Sequence, residues 1–138
     1  MKRKLIIHSL SPDDILSRFL FFRSEINFTD KKIKTSAITG KHDKGFSVFH
    51  TTDLNDDSIW GLANDHVVDS YKDQGRDLLG RFDIETSYYT NASLEIKENI
   101  PPPRHHDVFG MPLGSALEEA DKLSKRQKFV LKSRLHLL

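Results

Sequence analysis

The sequence predicts a small α+β domain, a mainly antiparallel sheet with two main helices, and three observations carry that expectation. Short stretches of alternating or β-branched apolar residues recur at 32–39, 46–51, 78–86 and 93–97, separated by polar turns rich in glycine, asparagine or aspartate. Two segments, about 55–67 and 115–131, carry apolar residues at helical spacing behind a capping residue. The 138 residues suit a single domain, 1–138, with no internal repeat, low-complexity tract or long linker.

Bulk composition narrows the function classes. The apolar fraction is only 37%, but nine Phe, three Tyr and one Trp supply large burial units, so a packed core is expected despite 30% charged residues. The absence of cysteine excludes disulfides, thiolate catalysis and cysteine-based zinc sites, and fits a cytoplasmic location. No apolar run approaches the ~18 residues a membrane span needs. The basic start Met1-Lys2-Arg3-Lys4 is followed by only three apolar residues, too few for a leader. Net charge is +1, yet residues 53–73 hold six aspartates against one lysine, and residues 121–138 hold six Lys/Arg against one aspartate. Such segregation suits solvated helix faces or steering of a charged partner.

Taken in order, Leu5-Ile6-Ile7 suggests a strand over about 3–8. Ser11-Pro12-Asp13-Asp14 has the form of a helix start running to about Ser17: a hydroxyl cap, a proline, then acids near the positive end of the dipole. Arg18-Phe19-Leu20-Phe21-Phe22-Arg23 suits a buried strand or the end of that helix. The alternating runs at 32–39 and 46–51, bracketing Gly40 to Gly45, suggest a hairpin with a long loop. Asn55 is the expected N-cap of the first main helix, with Leu54 and Ile59 as a hydrophobic staple and Gly75 ending the region. A strand over 78–86 points Phe82 and Ile84 one way and Arg81, Asp83 and Glu85 the other. Tyr88 to Asn91 suggests a turn and Ser93 to Lys97 another strand. Ser115 and Glu118 form a capping box for the second main helix, and 134–138 suits a closing strand.

The candidate chemistry centres on Ile100-Pro101-Pro102-Pro103-Arg104-His105-His106-Asp107. Three consecutive prolines fix φ and favour a stiff polyproline arm. In an extended segment Arg104 and His106 share one side, and His105 and Asp107 the other. Arg104 with a histidine suits a phosphate. His105, His106 and Asp107 suit acid–base work, which makes them the candidate catalytic residues. Neighbouring residues rarely aim at one ion, so no metal and no cofactor is expected. Two histidines and an aspartate could ligate an ion only with help, for which His8, His42, His50 and His66 are available, but the sequence does not bring them there. Equally, the prolines could shape a crossover whose polar residues are tied to the backbone.

Arg81 and Asp83 on one strand face form a second candidate ligand-binding pair, or a cross-strand ion pair. His50-Thr51-Thr52 resembles the way ADP-ribosyltransferases hold a nicotinamide ribose, without the paired glutamates that would accompany it. Lys122, Lys125, Arg126 and Lys128 on the second main helix are candidate nucleic-acid contacts, with Tyr88, Tyr89 and Phe129 as stacking groups. The chain has no P-loop, dinucleotide-binding fingerprint, nucleophile elbow or H-E-x-x-H.

Ser17-Arg18-Phe19, Ser47-Val48-Phe49, Ile59-Trp60, Gly80-Arg81-x-Asp83, Pro101-Pro102-Pro103-Arg104-His105 and Gly110-x-Pro112 together resemble a small uncharacterised prokaryotic family. The resemblance implies a compact domain encoded near mobile-element or defence genes, and a cytoplasmic accessory subunit. The leading expectation is a non-enzymatic adaptor with a larger protein partner. A nucleic-acid-binding module, and a small enzyme on a phosphate-containing substrate using Arg104 and His105 or His106, stand beside it.

Overall fold

A computed structural model describes residues 10–38, 46–110, 130 and 132–138. The strands are β1 (Ile15–Leu20), β2 (Ile26–Asn27), β3 (Lys32–Ile33), β4 (Phe46–His50), β5 (Gly80–Glu85), β6 (Glu95–Glu98), β7 (His105–Phe109) and β8 (Arg134–Leu137). The helices that lie wholly within the described residues are α1 (Asp56–His66), α2 (Val68–Lys72) and α3 (Thr86–Asn91); Val130 and Lys132 are helical too. Six strands form one sheet in the order β6-β7-β4-β1-β5-β8, and β2 and β3 make a separate ribbon. Every pairing in the main sheet is antiparallel. The expected α+β class with a mainly antiparallel sheet is therefore what the chain adopts.

Alternation sorts the side chains onto two buried faces. One face carries Leu16, Leu20, Phe46, Val48, Phe82, Ile84 and Val108, packed with Ile26, Ile33, Ile38 and Tyr89. The opposite face carries Phe19 and Phe49, which meet Ile59 and Ala63 of α1, with Trp60 and Tyr71 packed around them. Phe21 stacks on Tyr71 with ring centroids 4.0 Å apart. Because both faces are covered, the inner strands lack a clean polar side.

Local rules explain the main helix. Asn55 accepts from the Ser58 amide at 2.8 Å, Asp56 and Asp57 occupy the first turn, and Leu54 and Ile59 belong to one apolar cluster. The chain turns off after α2 at Gly75, whose φ of +73° lies in the left-handed region that glycine tolerates. The expected strand faces of β5 are also observed.

Three expectations are corrected. Ser11 to Asp14 is a turn, not a helix start: the Asp14 amide donates to Ser11 O, and the Ser11 amide donates to the Asp14 carboxylate. The same residue types stabilise both structures, and here β1 begins at Ile15 because it pairs with Glu85 across the sheet. The hairpin over 32–51 does not form. Lys32–Ile33 pairs with Ile26–Asn27, residues 35–38 make a 3₁₀ turn, and β4 pairs with β1 and β7 instead. Tyr88 to Asn91 belongs to α3, because Tyr89 is drawn into the core against Phe46, centroids 6.0 Å apart. The strand expected at 3–8, the loop at 40–45 and nearly all of the second main helix lie outside the described residues.

Gly80 is a point of close approach. A Cβ there would lie 2.6 Å from the His136 carbonyl oxygen, a backbone atom of β8. Gly80→Ala is expected to push β8 away, so that amide exchange along β8 accelerates while β1 stays protected, as read by hydrogen exchange. Unchanged protection in β8 would contradict this packing.

Candidate functional site

The sheet gathers the sequence candidates into two groups. In the first, β5 places Arg81 and Asp83 on the face under α1, where both are buried. Arg81 Nε donates to Asp83 Oδ1 at 3.1 Å, and Nη2 donates to Asp56 Oδ1 at 2.7 Å. The Arg81 guanidinium also lies 4.6 Å from the Trp60 ring centroid. Ser17 Oγ donates to Asp83 Oδ1 at 2.5 Å and lies 2.8 Å from Thr51 Oγ1. His136 Nε2 lies 3.2 Å from Asp83 Oδ2. Hydrogen bonding from Arg81 holds the Asp56 carboxyl below its ordinary range.

Arg81 and Asp83 pair with each other along β5, and the cross-strand ion pair runs from Asp83 to His136 of β8. Arg81 and Asp83 sit on one strand and reach outward to α1, β1 and β8. Asp83 stands between Ser17 and His136, so the imidazole does not touch the hydroxyl it would have to activate. Ser17 is also fully buried. This group is a structural tie.

In the second group, the proline run is the loop of the β6–β7 hairpin rather than a projecting arm. The Asn99 amide donates to His105 O at 2.9 Å, and the His105 amide donates to Pro102 O at 3.3 Å. Arg104 closes the loop at a φ of +68°. Opposite-side alternation holds from there. His105 Nδ1 donates to Asn99 O at 2.7 Å, and its Nε2 lies 3.3 Å from Asp107 Oδ1. Asp107 also accepts from Asn99 Nδ2 at 2.7 Å. His105 and Asp107 therefore brace the hairpin.

Arg104 is equally committed. It donates twice to Asp53, at 2.7 and 3.1 Å, and once to His50 O at 3.1 Å. The arginine's hydrogen bond holds the Asp53 carboxyl down at about 2. A guanidinium already paired fork to fork is poorly placed to clamp a phosphate.

His106 is different. It lines a cleft of about 470 Å³ together with Asp14, His50, Thr52, Asp53, Glu98, Ile100 and Arg104. Antiparallel register sets this meeting: His106 lies opposite Val48 of β4 and Glu98 of β6. Its Nδ1 is 3.1 Å from Arg104 O. A carbonyl only accepts, so Nδ1 carries the proton and Nε2 keeps its lone pair. Burial pushes the imidazole below its ordinary value, which keeps it neutral near neutral pH. In the same cleft, His50 Nε2 lies 3.0 Å from Thr52 Oγ1 and 3.4 Å from Asp14 Oδ1.

Of the sequence candidates, His106 and Arg104 reach this cleft, whereas His105 and Asp107 turn to the other face. His50, Asp14, Thr52 and Glu98 complete it. The i, i+2 spacing of His50 and Thr52 was the one local signal for part of this set. Among the described residues no group of three or more His, Asp or Glu is placed to hold a metal ion. Lys122, Lys125, Arg126 and Lys128 lie outside the described residues. Tyr89 is fully buried and unavailable for base stacking, while Tyr88 is exposed. Among the described residues no helix is long and apolar enough to cross a membrane.

Fold and site together define an antiparallel α+β sheet domain with an acceptor-rich cleft at one end of the β4–β7 pair. Comparison with known proteins finds no matching family model, no matching curated protein and no matching solved structure.

Asp83→Ala leaves the buried Arg81 with only the exposed Asp56 carboxylate and takes the acceptor from Ser17, and is expected to cost about 3 kcal/mol of stability in denaturant unfolding. A loss below about 1 kcal/mol, the size of an exposed pair, would contradict the buried tie.

Proposed function

We propose that the chain is a non-enzymatic accessory protein that docks onto a basic surface of a larger partner. The observation that carries this is the chemistry left on offer once internal pairs are counted. Arg104 is neutralised by Asp53, and Thr52 and His50 are turned to Asp14, so what the cleft has left to offer is chiefly carboxylate oxygen and the His106 lone pair. Asp53 also opens the acidic run, in which Asp57, Asp65, Asp69 and Asp73 are exposed. Asp65 near the end of α1, Asp69 in α2 and Asp73 at the cap of α2 crowd mutually repelling like charges into a short span of chain. A cationic partner relieves that repulsion and is steered by it. The motif resemblance supplies the defence or mobile-element setting. It bears on the partner's identity and not on the chemistry of the surface.

One observation favours acid–base catalysis as the second reading: His50 and His106 face a common cleft, and His106 is neutral with a free Nε2. Against a phosphate substrate stand the three carboxylates that line the same space.

Size-exclusion chromatography with the products of neighbouring genes tests the proposal. Co-elution is expected at low salt, and is expected to be lost on replacing Asp57, Asp65, Asp69 and Asp73 with lysine while circular dichroism stays the same. Elution alone with every neighbour would refute it. Full cellular activity of a His50→Ala/His106→Ala double variant would remove the catalytic reading.

A further inference from the structure

We infer that the cleft beside β4 and β7 receives the cationic end of a lysine or arginine side chain contributed by the partner. This deepens the accessory reading and rests on it. The most buried polar residue lining the cleft is His106, 6% exposed, whose Nε2 has no hydrogen-bond partner among the described residues. With Nδ1 committed to the Arg104 carbonyl, the neutral imidazole offers Nε2 as an acceptor. Glu98 stands at the rim, exposed and without a hydrogen-bond partner among the described residues. Asp14 lines the same cleft, held by the Ser11 amide at 2.7 Å and by Thr52 Oγ1 at 3.2 Å, with His50 Nε2 3.4 Å away. Among the described residues, two carboxylates and one imidazole nitrogen thus line a cleft whose one arginine, Arg104, is bound to Asp53 and whose second imidazole, His50, lies 3.4 Å from Asp14 Oδ1.

The lip of the cleft suits the rest of such a side chain. Ile100 is 58% exposed and lines the opening, an apolar surface for the methylene stem of Lys or Arg while the charged head reaches the acceptors. A space of about 470 Å³ accommodates one long side chain. A phosphate would meet three carboxylates and one arginine already neutralised, so an anion is the wrong complement.

The test is titration of the full chain with acetylated, amidated Gly-Lys-Gly and Gly-Arg-Gly peptides, with putrescine and with inorganic phosphate, followed by the imidazole and carboxyl NMR signals. Saturable shifts of His106 and Glu98 with at least one of the two peptides, and none with phosphate, are expected. Glu98→Gln, a surface change that spares the fold, is expected to weaken peptide binding roughly tenfold, the size of one charge-assisted contact. Phosphate shifts without peptide shifts would overturn the inference, as would putrescine binding more tightly than either peptide. An intact partner complex with no peptide binding would sink this inference and spare the accessory reading. Peptide binding with no partner complex would do the reverse.

Discussion

The buried Arg81–Asp83 pair is the constraint on which the rest of the architecture depends. Through it β5 is tied to β1 by Ser17, to the end of β4 by Thr51, to β8 by His136 and to the start of α1 by Asp56. Apolar packing between the sheet and α1 is non-directional and would tolerate sliding. A fork of hydrogen bonds with fixed geometry does not, so the ion cluster fixes register and helix position more than it adds net stability. Removing one member is costly because the other is left in a low-dielectric interior.

With β1, β4 and β5 held in register, the β4–β7 pairing follows, and with it the juxtaposition of two histidines from distant parts of the chain. Val48 opposite His106 and the His50 amide bonded to Arg104 O place both imidazoles over one cleft. Polar residues near the hairpin then divide by strand alternation. His105 and Asp107 brace the turn on one face, while Arg104 and His106 face the cleft on the other. The Arg104–Asp53 pair fixes the cleft wall and removes the one positive charge that would have invited an anion.

What was legible in the sequence is what local rules govern. The Asn55 cap, the staple and the aspartates of the first turn specified α1 within a residue or two, because each acts over one helical turn. The two-fold alternation of 80–85 assigned Phe82, Ile84, Arg81 and Asp83 to their correct faces. Failures fell where a distant partner decides. Ser11 to Asp14 could cap a helix or close a turn, and only the pairing of Ile15 with Glu85 chose the turn. The run before Gly40 alternates like a strand, yet the partner of β4 proved to be β1, which no local signal announces. Asp14 and Glu98 became cleft residues for the same reason. Prolines 101–103 suggested a rod because φ is their local property, whereas hydrogen bonds between Asn99 and His105 bend them into a loop.

The functional account stands on one physical state: a neutral His106 that donates from Nδ1 to the Arg104 carbonyl and leaves Nε2 as an acceptor in the cleft. Long-range proton–nitrogen correlation of the histidine rings reads that state directly. The account predicts, near neutral pH, a neutral ring with the proton on Nδ1. A proton on Nε2, or a doubly protonated ring at that pH, would make the cleft a donor site and contradict the account.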